Sequence, residues 1–156
     1  MKKLICATAF TVILASNAPA TIAGGAMQNA NIPHLVGSAA TPNKARFQGA
    51  THHFKVHVQG RALSEIAIDL PEDVKMRGPI EVKNQSGQKI ESQVSVNNRK
   101  ATVVFAQPVA PDTTISIALR GIYTPGYSRN WGYALAGKVE GINAEIPLGT
   151  VLIQTY

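Results

Sequence analysis

Four histidines are the side chains of this sequence best suited to hold a transition metal, and three of them stand in His52-His53-Phe54-Lys55-Val56-His57. Neutral imidazole is a good ligand for copper and zinc. The run alternates as a strand does, so His53 and His57 share one face about 13 Å apart at ~3.3 Å per residue, and His52 turns to the other. No single ion reaches both, and Lys55 between them repels a cation. Chelation needs another strand to deliver His34 or a carboxylate. Without that, the histidines are the polar face of a half-buried strand.

A second group is aromatic: Tyr123, Tyr127, Trp131 and Tyr133 fall close together, interleaved with Pro125, Gly126, Arg129 and Gly132. In a loop on a β domain such rings form a flat platform for sugars, with Arg and Asn adding hydrogen bonds, or a hot spot for a protein partner. The candidate ligand-binding residues are therefore Tyr127, Arg129, Trp131 and Tyr133. The alternative is that Trp131 and one tyrosine plug the open end of the core, because a small core without disulfides needs large apolar anchors.

Other chemistry finds no support. There is no Gly-x-Ser-x-Gly elbow and no serine with flanks that suggest one. Glu72-Asp73 follows Pro71 as a polar turn does, and spacing alone singles out no glycosidase pair among nine acidic residues. No cofactor motif is present, so the expectation is a protein that is not an enzyme. The basic residues are scattered without a run of five or six, which argues against a nucleic-acid partner.

The first twenty residues read as an export signal: Met1-Lys2-Lys3, an apolar run from Leu4 to Ala15, and the small-x-small site Ala18-Pro19-Ala20. The run is too short to span a bilayer, so the mature protein is expected not to be membrane-spanning. Cleavage removes Lys2 and Lys3, leaving thirteen basic against nine acidic residues, a balance of +4. It also removes Cys6, the only cysteine. The mature chain must then hold itself together by packing alone, without disulfide or lipid anchor. With 45% apolar and 15% charged residues it has the means to build a core.

The elements that must position these side chains read as strands. Positions 21–49, rich in Ala, Gly, Asn, Thr and Pro, read as a flexible lead-in, within which Pro33-His34-Leu35-Val36 can dock as an edge strand. Beyond Ala50 the period is two: Phe54, Val56 and Val58; Ile66, Ile68 and Leu70; Ile80 and Val82; Ile115, Ile117 and Leu119. Asn84-Gln85-Ser86-Gly87 is a turn, and Asn97-Asn98 is a hairpin connection into Ala101 to Phe105. Tyr133 to Val139 and Thr150 to Thr155 complete seven to nine strands. This pattern predicts one all-β domain over 50–156, an antiparallel β-sandwich of immunoglobulin-like type, with a closed barrel as the other solution.

From about Pro33 onward the chain resembles a family of small exported proteins, found mostly in cyanobacteria and catalogued as a domain of unknown function. The resemblance rests on Ala50 and Phe54, Leu63 with Ile66 and Ile68, Val103-Val104-Phe105, Pro108-Val109, Pro111-Asp112-Thr113-Thr114, and the tail from Leu148-Gly149 to Tyr156. It implies an exported β-rich domain in the periplasm, outside the cell or in the thylakoid lumen, and brings no activity with it. The reading is a non-catalytic envelope module, structural or binding an envelope polymer or protein. The alternative is an exported copper- or zinc-binding domain that uses the histidine-rich strand.

Overall fold

The computed structural model describes residues 31–156. The export signal read over 1–20 and the first part of the lead-in lie outside the described residues. Ten strands follow: β1 (His34–Thr41), β2 (Ala50–Val58), β3 (Leu63–Asp69), β4 (Lys75–Met76), β5 (Ile80–Lys83), β6 (Ser92–Asn97), β7 (Lys100–Val109), β8 (Thr113–Tyr123), β9 (Arg129–Val139) and β10 (Ile146–Thr155). No helix occurs among the described residues.

Period-two alternation decides which face of each strand is covered. On β2, Phe54, Val56 and Val58 are fully buried, whereas His53, Lys55 and His57 keep some contact with solvent. The strands form two antiparallel sheets. In the first the order is β1-β2-β8, with β4 and β5 pairing end to end along the far side of β8; in the second it is β10-β9-β3-β7-β6. The inner faces meet in one core that includes Phe54, Ile66, Ile68, Val103, Ile115, Ile117, Leu119, Trp131 and Tyr133. Complete burial of a Val, Ile, Leu or Phe side chain contributes about 1.5–3 kcal/mol, and this is what stands in for covalent staples. The result is an immunoglobulin-like β-sandwich and not a closed barrel.

Two sides of the sandwich are managed differently. Residues 89–91 cross between the sheets, where Ile90 N–H donates to Val82 O (2.8 Å) and Ala106 N–H donates to Glu91 O (3.0 Å). On the opposite side β1 and β10 lie against each other. The registers also define two ends. Thr41, Ala50, Tyr123, Arg129 and Thr155 lie at the upper end; His34, Val58, Leu63, Thr113 and Val139 lie at the lower.

Three expectations shift. The edge strand expected at Pro33–Val36 runs on as β1 to Thr41, so the sandwich reaches back past Ala50 into what composition reads as a lead-in. The hairpin loop is Asn98-Arg99, one residue later than Asn97-Asn98, because Asn97 pairs with Lys100 and Asn98 takes the positive φ of 54°. Finally, the strand expected from Tyr133 to Val139 starts earlier, at Arg129, so Trp131 is not in a loop: the connection between β8 and β9 is only 124–128.

Candidate functional site

β9 alternates large and small, Trp131-Gly132-Tyr133-Ala134-Leu135, and its large side chains point inward. Trp131 is 1% exposed and Tyr133 is 0% exposed. Trp131 Nε1–H donates to Thr155 Oγ1 on β10 at 3.0 Å, which satisfies the indole's one donor. Two of the four expected binding residues are thus core side chains, and the plug reading describes them. Tyr127 and Arg129, by contrast, are both exposed to solvent.

Arg129 has the same strand parity as Trp131, but it stands past the rim of the core, so its guanidinium lies 5.3 Å from the Trp131 ring centroid. The same guanidinium donates to Tyr127 Oη (3.3 Å) and Asp73 Oδ2 (3.2 Å). The hydrogen bond to Tyr127, and then Asp73, raises the pKa of Arg129 above its ordinary value. Tyr127 sits 6.0 Å from Trp131 with the rings inclined at 42°. The structure therefore brings Tyr127 and Arg129 together against the Trp131 ring and leaves Tyr133 out.

Three further residues join them from distant sequence. Residues 42–49 cross the upper end of the sandwich. They are tied to the second sheet by Tyr156 N–H donating to Asn43 O (2.9 Å), and to the first by Thr124 Oγ1–H donating to Ala45 O (3.2 Å) and Gly49 N–H to Ile122 O (2.9 Å). This places Lys44 and Arg46 opposite Tyr127 and Ser128, with Tyr156 beside them, around an open groove of about 420 Å³. Tyr127 is 47% and Tyr156 66% exposed. Lys44 and Arg46 form no ion pair among the described residues. Two accessible rings and two uncommitted cations can stack on a sugar and pair with its carboxylate or sulfate.

The histidines of β2 separate as strand geometry requires. His52 is fully buried, with Nδ1 2.7 Å from the Tyr133 hydroxyl, and its Nε2 has no partner among the described residues. If Tyr133 donates to Nδ1, a single orphan N–H remains; the reverse leaves both an orphan lone pair and an orphan hydroxyl, so the first arrangement is preferred. Burial, reinforced by the neighbouring His53, lowers the His52 pKa to about 4. Burial also pushes the Tyr133 hydroxyl well up. Among the described residues no group of three or more His, Cys, Asp or Glu side chains converges to hold a metal ion.

Fold and site together define an immunoglobulin-like β-sandwich with a cationic, aromatic rim at one end. Residues 26–143 match the family described as "protein of unknown function (DUF2808)", and the chain belongs to that family. No curated protein matches the sequence. Among solved structures, the chain is similar to BslA, a bacterial hydrophobin (TM-score 0.56, 12% identity, 80% of this chain and 94% of that one). It is also similar to the N-terminal domain of the Streptococcus gordonii adhesin Sgo0707 (TM-score 0.54, 14% identity, 80% of this chain), of which it spans 32%. A third likeness is to the RrgA Jo.In complex (TM-score 0.50, 8% identity, 69% of this chain and 72% of that one). At such identities the likeness speaks of the fold.

Proposed function

We propose that the chain is a non-catalytic, exported module of the cell envelope that binds an acidic envelope polysaccharide in the groove between Tyr127 and Tyr156. The observation that carries this is the pairing of two exposed rings with Lys44 and Arg46 in one open groove. A flat, open rim suits a polymer lying across it better than a small molecule, which is ordinarily enclosed on most of its surface. Export rests on the signal pattern at Met1–Ala20. An adhesin domain among the similar folds supports a binding role.

The test is affinity electrophoresis and titration calorimetry with polygalacturonate and alginate as acidic polymers and dextran as the neutral one. Acidic polymers should retard the protein, retardation should weaken with added salt, and dextran should have no effect. Tyr127→Ala with Arg46→Ala should remove retardation while the thermal midpoint stays near that of the parent. Equal retardation by dextran, or none by either acidic polymer, overturns the proposal.

A further inference from the structure

At the lower end, β1 delivers the strand that metal chelation requires. His34 is the direct register partner of His57, and their ring centroids are 5.5 Å apart with the planes inclined at 67°. Each ring is oriented through Nδ1. His34 Nδ1 lies 3.2 Å from the Ile32 carbonyl oxygen, and His57 Nδ1 lies 3.1 Å from Thr114 Oγ1. A carbonyl oxygen only accepts, so His34 Nδ1 carries the hydrogen and its Nε2 keeps a bare lone pair. The Thr114 hydroxyl can accept in the same way and leave His57 Nε2 equally bare. A backbone or side-chain oxygen holding Nδ1–H while Nε2 binds the ion is the usual support of a histidine ligand.

The separation of the rings fits one shared ion. With the metal about 2.0 Å from each Nε2, two ligating rings have centroids roughly 4.5 to 6.4 Å apart as the ligand angle opens from about 90° to 180°. The surroundings fit too. The open groove of about 990 Å³ that both rings line is otherwise bordered by side chains such as Leu35, Val36, Gln59 and Leu148, and no charged residue among the described ones lines it. Lys55, which argues against chelation between His53 and His57, pairs with Gly37 farther along β1.

We infer that His34 and His57 form a surface site for a borderline divalent cation, with water and the Gln59 amide oxygen available to complete the coordination. Imidazole donors and the general order of divalent affinities make copper(II) the tightest occupant, ahead of nickel and zinc. An ion held there ties edge strand β1 to β2. This site lies at the opposite end from the polysaccharide groove, so the two readings fail separately.

The experiment is titration of the mature protein with CuCl₂, NiCl₂ and ZnCl₂ in a non-chelating buffer, followed by electron paramagnetic resonance of the copper form. One copper per chain should bind, with hyperfine structure from two imidazole nitrogens, and the β1 amides should exchange more slowly with copper than without it. His34→Asn and His57→Asn should each weaken copper binding at least tenfold, His53→Asn should not, and all three should bind polygalacturonate as the parent does. Should His57→Asn fail to fold, His34→Asn on the edge strand still decides the matter. No stoichiometric copper, or equal losses in the His53 and His34 variants, overturns the inference.

Discussion

Acidification should destabilise this protein through His52 as the pH falls below about 6.5. The ring is fully buried, and burial, with His53 adding to it, lowers its pKa from 6.5 to about 4. An imidazole whose folded pKa is depressed takes up its proton more readily when unfolded, so stability is complete above about pH 6.5 and falls as pH drops toward 4. At ~1.4 kcal/mol per pH unit the full loss is about 3 kcal/mol, and about 2 kcal/mol of it has gone by pH 5. A small domain holds only about 5–15 kcal/mol in total, so the change is measurable. The assay is urea unfolding followed by Trp131 fluorescence between pH 7.5 and 4.5. The comparison is His52→Asn, whose amide oxygen can replace Nδ1 as acceptor for Tyr133. The variant should be less stable at pH 7 and should lose most of the slope between pH 6.5 and 4.5. A shallower residual slope should persist from His53, which burial, and then Arg120, also lowers. Glu81, held below its ordinary value by its hydrogen bond to Arg120, contributes only in the carboxylate range. Parallel stability curves for parent and variant would refute the assignment of this proton uptake to His52.

Trp131→Ala should cost about 3–5 kcal/mol, and the parent's emission should be blue-shifted and poorly quenched by iodide; an exposed-type spectrum contradicts the plug. Gly121→Ala should cost more than about 1 kcal/mol in urea unfolding, because Gly121 has φ +64° and a Cβ there would lie 2.7 Å from Gly78 N. At the hairpin, Asn98→Gly should be neutral or slightly stabilising, whereas Asn98→Val should cost on the order of 1 kcal/mol, since φ is 54°. Glu65→Gln should cost about 1 kcal/mol, measured the same way, because Glu65 is 16% exposed and takes both its hydrogen bonds at 3.0 Å from Lys138.

The strands that alternate between water and core were legible: β2, β3, β5 and β8 carry large apolar residues at every second position because one face of each is covered. β1 was visible only at its start, since the small residues Gly37-Ser38-Ala39-Ala40 offer no contrast between its faces. The hairpin slipped by one residue because either asparagine tolerates the left-handed conformation, and only cross-strand register separates them. Trp131-Gly132-Tyr133 already carried the large-small alternation of a covered strand, and that signal marks both rings as core. The groove was half legible. Tyr127 and Arg129 are local in sequence, but Lys44, Arg46 and Tyr156 join them only through the pairing of the last strand with residues 43–45, which no local pattern encodes.

The two ends of the sandwich also determine how it responds to tension. Ile32 precedes β1 at the lower end, and Tyr156 follows β10 at the upper end, so a pull between them runs along the strand axes. β1 is held to β2 by paired residues from His34 to Thr41, and β10 to β9 by paired residues from Ile146 to Thr155. Loaded lengthwise, such a ladder must shear many bonds at once, whereas a peeling load opens them one after another. Under such a load the resistance of the sandwich lies along the line joining its two ends. A metal bridging His34 and His57 would sit at the point where that load enters the first sheet.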